Sequence, residues 1–560
     1  MADTALARSR AAYDRIEAVD RPEIWIDLRP RPDVETEARS IDARVAAGER
    51  LPLAGWTLAV KGNIDVAGLP TTAACPSYAY LPERDAPAVA ALRAAGAVVL
   101  GTTNLDQFAT GLVGTRSPYG AVRHAHAPER VSGGSSSGSA VAVALGIADL
   151  ALGTDTAGSG RVPAAFNGIV GLKPTPGLVS TDGVVPACAS LDCVSVFART
   201  LTEAETALAH LATRPASPPG SPRPPGPPRI AVADPTALGE LDDGWSAAYA
   251  RAADRLAASG AELTTIDITP FLQAAALLYD GAFVAERYTA VGTFVDEHLA
   301  KRSPETSASS DLDPTVAGII SRAGEIPAHR LFADRARLAR LAARAESVLG
   351  DADALLLPVT PGHPTLTEVA ADPLGANARL GRFTNSTNLF GQCALAVPAG
   401  TVDGLPFGVM LIGRPDTEDR LVSIARRFTA TIELVVVGAH LTGQPLNPQL
   451  LALGARFVRA TTTAPVYRLY ALDTTPPKPG LVRTSGADGT TVEAEVWELP
   501  AEGLGTLMAS LPRPMAIGHV ELSDGSSAPG FLCEPAALEG AEDITAYGGW
   551  RAYRSDRPGF

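Results

Sequence analysis

The chain of 560 residues reads as an α/β protein of two unequal domains, and three observations carry that reading. Over about the first 430 residues, Ala-rich helical stretches alternate with short Val-rich strands, the texture of an α/β architecture with buried strands. Gly133–Gly177 holds 10 glycines in 45 residues, arranged as Gly/Ser turns between apolar runs, which predicts a packed segment where backbone approaches backbone. Beyond about residue 432 the pattern changes to short strands and turns, spaced like a smaller β-rich α+β domain.

The elements follow in order. Ala5–Val19 and Asp33–Ala47 are Ala-rich, with charges three and four apart, and predict helices. Trp56–Val60 predicts a short strand, Asp85–Ala95 a helix closed by Gly96, and Ala97–Gly101 another strand. Pro215–Pro228 has eight prolines in 14 residues and reads as an extended surface insertion, not a boundary. A strand at Arg229–Val232 and a helix at Gly244–Ser259 resume the fold. The boundary is placed at 432, giving domains 1–432 and 433–560. In the second, Leu434–Val437, Arg468–Ala471, Thr491–Glu498, His519–Leu522 and Gly530–Glu534 are the strand candidates.

Composition excludes several classes. The chain is 46% hydrophobic and 19% charged, which supplies a large core and excludes a mostly disordered chain. Lys plus Arg is 47 and Asp plus Glu 61, a net charge of −14, which repels phosphate backbones and anionic membranes. No Lys/Arg cluster stands out against that balance, so neither partner is expected. Five scattered cysteines (Cys75, Cys188, Cys193, Cys393, Cys533) form no C-x-x-C pair and read as small buried hydrophobes, so no metal site and no cofactor are expected. His124-Ala-His126 reads as a pair of surface residues in a polar loop, not as metal ligands. Met1–Asp20 has no apolar h-region, and no stretch approaches about 18 uninterrupted apolar residues, so a cytoplasmic protein is expected.

Four motifs carry chemistry. Val60-Lys61-Gly62-Asn63-Ile64-Asp65 puts a lysine at the end of an apolar strand, where burial would favour the neutral amine and make it a base. Its ordinary reading is a lysine that reaches the surface. Ser132-Gly133-Gly134-Ser135-Ser136-Ser137-Gly138-Ser139 can expose backbone N–H groups, or can be a linker or a helix N-cap. Gly153-Thr154-Asp155-Thr156-Ala157-Gly158-Ser159-Gly160-Arg161 lies between a strand and a helix. There it can aim several N–H groups at one point beside a nucleophilic serine, or be a tight structural turn. Gly168-Ile-Val-Gly-Leu-Lys173-Pro174-Thr175 closes the segment. Gly134-Ser135-Ser136-Ser137-Gly138 also matches the nucleophile-elbow pattern, but Ala125–Val131 before it reads as loop, and His298, His329 and His363 have no distinctive context.

Together these motifs resemble the amidase signature family, strongly over about residues 55–200 and on to about 430. The resemblance implies the amidase-signature fold, a mixed central β-sheet covered by helices, and a Ser–cis-Ser–Lys triad. Ser159 matches the nucleophile, Ser135 the proton relay and Lys61 the ultimate base; Ser135 and Ser159 are 24 residues apart, the family's spacing. It implies an oxyanion hole from the N–H groups of Thr156, Ala157, Gly158 and Ser159. Ala157 stands where many relatives have Gly, and a positive φ there would be mildly strained.

The resemblance narrows at Arg116-Ser-Pro-Tyr-Gly120, Val284-Ala-Glu-Arg-Tyr288, Asn377-x-Arg379-Leu-Gly-Arg-Phe-Thr-Asn385 and Gly438-Ala-His440-Leu-Thr-Gly-Gln-Pro-Leu-Asn447, which look like allophanate hydrolases. It implies hydrolysis of allophanate to ammonia and N-carboxycarbamate in urea degradation, with Tyr279 and Arg287 binding the substrate carboxylate. It implies a C-terminal domain similar to γ-glutamylcyclotransferase-like folds that promotes decarboxylation to CO2 and ammonia, with His440 as its candidate residue. It also implies a homodimer and a functional link to urea carboxylase. The alternatives are an amidase for another small amide and a C-terminal domain that is a non-catalytic interaction module. A glutamine-amidotransferase subunit shares the signature, but the acidic balance and the tail count against it.

Overall fold

The computed structural model describes residues 4–214, 226–301, 311–428, 431–453, 455–484 and 489–557. The chain forms two compact units, residues 1–428 and 429–560. Residues 215–225 of the Pro-rich insertion lie outside the described residues.

The first unit is built on an 11-stranded mixed sheet. Its strands are β1 (Trp25–Leu28), β2 (Thr57–Lys61), β3 (Val98–Thr103), β4 (Leu150–Asp155), β5 (Val170–Lys173), β6 (Cys193–Ala198), β7 (Arg229–Ala233), β8 (Glu262–Ile266), β9 (Ala354–Pro358), β10 (Cys393–Val402) and β11 (Leu405–Gly413). They lie in the order β1-β3-β2-β4-β6-β5-β10-β11-β9-β7-β8. β2 runs parallel to both β3 and β4, so three carboxyl ends open on one edge of the sheet. That is where α/β sheets gather ligand-binding groups. β2, β3 and β4 are buried at every residue, because helices cover both faces; this explains their unbroken apolar runs. One of those helices, Ser137–Ala144, has seven buried residues among Ser137–Val143 and packs on β4. Its small side chains permit that close approach.

The second unit, described by itself, has a five-stranded sheet and a three-stranded sheet around its own core of Leu434, Val435, Trp497, Phe531 and Trp550 among others. Its strands are β12 (Thr431–Val436), β13 (Arg456–Thr462), β14 (Tyr467–Leu472), β15 (Lys478–Arg483), β16 (Glu493–Pro500), β17 (Met515–Glu521), β18 (Ser527–Cys533) and β19 (Glu542–Asp543). The α/β first domain and the β-rich α+β second one are as the sequence predicts.

Two expectations are corrected. His124 is not a surface residue: it is fully buried, and its Nε2 lies 2.8 Å from the Phe166 carbonyl. Its ring packs edge-on to His363 at 5.2 Å, and His363 stacks on Phe166 at 3.8 Å. Burial holds His124 down to about 4, a neutral imidazole, whereas its neighbour His126 is exposed as expected. An arginine cluster also exists that composition concealed. Helix Ala328–Leu349 exposes Arg330, Arg335, Arg337, Arg340 and Arg344. The positive φ of the second loop falls on Gly158, at +137°, so Ala157 carries none of the strain that such a torsion would bring.

All five cysteines are free and buried. Among the described residues no helix is long and apolar enough to cross a membrane, and no group of three or more His, Cys, Asp or Glu could hold a metal ion.

Candidate active site

The site forms at the carboxyl edge of β2 and β4. Lys61, the last residue of β2, has no solvent exposure. Its Nζ donates to Ser135 Oγ and to Thr154 Oγ1, each at 2.7 Å. Burial pulls its pKa down to about 7; the carboxylates of Asp106, Asp192 and Asp155 push it up, and Arg287 pushes it further down. A neutral amine is therefore populated near neutral pH, as a base requires.

The Gly/Ser loop sorts its own serines. Ser136 Oγ donates to the Thr154 carbonyl at 3.1 Å and Ser139 Oγ to the Leu152 carbonyl at 2.9 Å, so both are tied to β4. Ser137 Oγ donates to the Asn104 carbonyl at 3.4 Å. Ser135 is the serine that turns to Lys61, and its peptide with Gly134 is cis. Asp106 supports it from below. Its carboxylate accepts the Val113, Gly114 and Arg116 N–H groups, and its own N–H donates to the Ser135 carbonyl at 3.1 Å. A Cβ on Gly134 would sit 2.0 Å from an Asp106 oxygen, so only glycine allows this approach.

The second loop leaves β4 at Asp155. The Asp155 carboxylate and the Arg161 guanidinium, both wholly buried, form a two-pronged pair at 2.9 and 3.0 Å. Burial raises the carboxylate, but the Arg161 charge and its hydrogen bonds overcome that and hold it below the usual range. The same carboxylate accepts the Gly158 and Gly160 N–H groups at 2.8 and 2.9 Å. Gly158 is therefore corrected as an oxyanion donor: its N–H is already spent on Asp155. A Cβ there would meet Thr384 Oγ1 at 2.5 Å. The N–H groups of Thr156, Ala157 and Ser159 have no partner among the described residues. Three unengaged N–H groups on one turn are a ready site for a developing oxyanion.

Ser159 lies on this turn and is 3% exposed. Among the described residues its hydroxyl makes no hydrogen bond, so the step from Ser159 to Ser135 is not joined at rest. Such links commonly tighten only when substrate binds.

Arg287, on helix Ala285–Ala300, is 2% exposed. Its Nη1 donates to Thr110 Oγ1 at 2.7 Å and its Nη2 to Tyr279 Oη at 3.0 Å, so the structure brings Tyr279 and Arg287 together. Its Nε is buried with no partner, and among the described residues no carboxylate forms an ion pair with it. A buried guanidinium without a counter-ion is costly unless an anion arrives. The loop that offers Thr110 is itself unusual: Phe108 and Ala109 adopt φ of +49° and +52°. Non-glycine residues in that region concentrate at ligand-holding loops.

In the second unit, His440 is 8% exposed, stacks on Phe531 at 4.7 Å, and places Nε2 3.1 Å from Gln449 Oε1. With Gln449, Lys478 and Phe531 it lines a cavity of about 50 Å³. Burial lowers its pKa, partly offset by the Gln449 hydrogen bond.

Sequence reasoning missed Thr154, Asp106, Thr110 and Asp192. Thr154 sits inside a quoted motif, and its place beside Lys61 was open to inference from the parallel strands. The other three join the site only through tertiary contacts.

The chain is similar to known proteins in sequence and fold. Residues 9–422 match the family model Amidase, and residues 432–555 match the model Allophanate hydrolase C-terminal domain. The chain belongs to the amidase family. Among particular relatives, it is 42% identical over 580 residues to the urea amidolyase of Lachancea kluyveri, covering 94% of this chain and 31% of that protein. The chain thus spans less than a third of that relative's length. Among solved structures it is similar to the allophanate hydrolase of Kluyveromyces lactis, at 40% identity and a TM-score of 0.68, covering 99% of this chain and 97% of that one. The 2-amino-5-chloromuconic acid deaminase of Comamonas testosteroni is 34% identical over 439 residues, covering 76% of this chain and 90% of that protein.

Proposed function

We propose that the chain hydrolyses allophanate to ammonia and N-carboxycarbamate. The observation that carries the choice of substrate is Arg287: a buried, counter-ion-free guanidinium joined to Tyr279 beside a lysine–serine base. Allophanate is urea carrying a carboxylate. An Arg fork meets that carboxylate in two parallel hydrogen bonds and presents the terminal carbonyl for attack.

In this reading Ser159 Oγ attacks the terminal carbonyl, and its proton passes to Ser135 as Ser135 gives its own to neutral Lys61. The oxyanion collects on the N–H groups of Thr156, Ala157 and Ser159. Collapse expels ammonia, which takes the proton back through the relay, and leaves a carboxycarbamoyl ester on Ser159. Water, deprotonated by the same relay, attacks that ester; N-carboxycarbamate departs and Ser159 regains its proton. The His440 cavity of the second unit is the proposed place where this product loses CO2, and Lys478 beside it suits an anion. The same reading places the chain in the cytoplasm as a homodimer. The urea amidolyase relative supports a functional link to urea carboxylase.

The base sets the pH dependence. Below its pKa Lys61 is an ammonium ion and cannot take a proton, so kcat/KM is expected to rise tenfold per unit up to about 7 and to level off above it. A pH–rate profile checks this. An acid limb near the ordinary lysine value would mean that Lys61 is not the buried base. The substrate itself is tested by ammonia release from allophanate against a panel of simple amides.

A further inference from the structure

The turn that offers the three free N–H groups must be held still. Its supports can be traced one by one. Asp155, neutralised by Arg161, holds Gly158 and Gly160 from behind. Thr384 Oγ1 donates to the Ala157 carbonyl at 2.6 Å. The third support is different. The Thr156 hydroxyl donates to Asp192 Oδ1 at 2.5 Å, and the same carboxylate accepts the Cys188 N–H on Oδ1 at 3.2 Å and the Ala187 N–H on Oδ2 at 2.8 Å. Asp192 is 6% exposed and forms no ion pair among the described residues. Burial raises its pKa, and the Thr156 hydroxyl, the Ala187 and Cys188 N–H groups and the Arg287 charge oppose that rise.

We propose that Asp192 is the positioning residue of the oxyanion turn, fixing the Thr156 end through the Thr156 hydroxyl. This rests on the reading of the Thr156–Ser159 turn as the donor of the oxyanion hole. The physical basis is geometric. Thr156 is the first of the free donors and follows directly on the end of β4. A hydrogen bond from its side chain to a buried carboxylate, itself pinned by two N–H groups, removes the remaining freedom before the reaction begins. A turn already fixed needs no reorganisation as charge develops. The carboxylate also favours the lysine ammonium that forms when Lys61 takes the serine proton.

Asp192→Asn keeps the shape and loses the charge and one acceptor. It is expected to lower kcat by about 10–100-fold, the range for outer-shell partners of a catalytic group. KM should move by less than about threefold, because Tyr279 and Arg287 are untouched. Thr156→Val should lose a similar factor, Thr156→Ser should recover most of it, and the double variant Thr156→Val/Asp192→Asn should be no slower than the worse single. Inhibition by methylboronic acid, whose serine adduct is tetrahedral and anionic, should weaken in parallel with kcat. A merely structural role would lower melting temperature and leave boronate affinity in the folded fraction unchanged. Equal kcat for Asp192→Asn and wild type, or additive losses in the double variant, would overturn the proposal. Should Asp192→Asn fail to fold, the Thr156 pair alone decides it. A wild-type chain inert on allophanate would count against the substrate instead; the variants are then compared on whichever amide the wild type cleaves.

Discussion

Ser159→Ala is expected to lower kcat for amide hydrolysis by about 10⁴-fold or more, with KM nearly unchanged. In the proposed mechanism the atom removed is the one that bonds to the carbonyl, and what remains is the oxyanion turn and substrate binding, which alone retain a small residual rate. The fold should survive: the Ser159 hydroxyl makes no hydrogen bond among the described residues, so its loss leaves no buried partner stranded. Lys61→Ala should fall as far in kcat, because Ser135 then has no base. The double variant should be no slower than either single one, since the relay acts as a unit. Lys61→Ala also opens a cavity at a fully buried position and should lose a few degrees in Tm. Rates from single-turnover experiments, with circular dichroism as the folding control, check both. Additive losses would mean that Lys61 and Ser159 do not share one proton path.

Arg287→Met gives the second large effect, and it falls on KM. The guanidinium is replaced by an apolar chain of comparable reach, so the carboxylate loses its partner. Removing one member of a buried charge pair costs about 2–5 kcal/mol, a loss of roughly 30-fold to several thousandfold in kcat/KM for allophanate. Arg287→Lys should recover little. One ammonium cannot span Thr110 Oγ1, Tyr279 Oη and a carboxylate as the fork does. A neutral amide lacks the carboxylate, so its kcat/KM should change by less than about threefold. Initial rates on allophanate and on a neutral amide, measured side by side, separate this from a general loss of the fold.

Much of the fold was legible because its signals are local. Helix Ala5–Val19 has the limits its composition predicts, and β2, β3 and β4 announce themselves as apolar runs. The sequence pattern does not mark β13 and β15 as strands. β13 carries Arg456 and Arg459 on a largely exposed edge, and β15 opens on Lys478-Pro479, so neither shows an apolar alternation. In the site, the motifs single out Lys61 and Ser135, which the structure joins by a hydrogen bond, but not how the N–H groups of the second loop divide. The motif places Gly158 on the turn among the donors; only the folded position of Asp155 shows that its N–H is taken. Asp192 meets Thr156 across 36 residues of sequence, with nothing local in either segment to pair them. His124 read as a surface residue because its neighbours are polar; its burial comes from Phe166 and His363, which the sequence does not place beside it.

A lysine–serine base and a buried arginine together would select an anionic urea derivative. The direct measurement is ammonia released per unit time by the purified chain from allophanate, beside malonamate, acetamide and a peptide amide at equal concentration. Allophanate is predicted to be the preferred substrate by kcat/KM, with Ser159→Ala abolishing the release. Turnover of the simple amides with none of allophanate would contradict that selection.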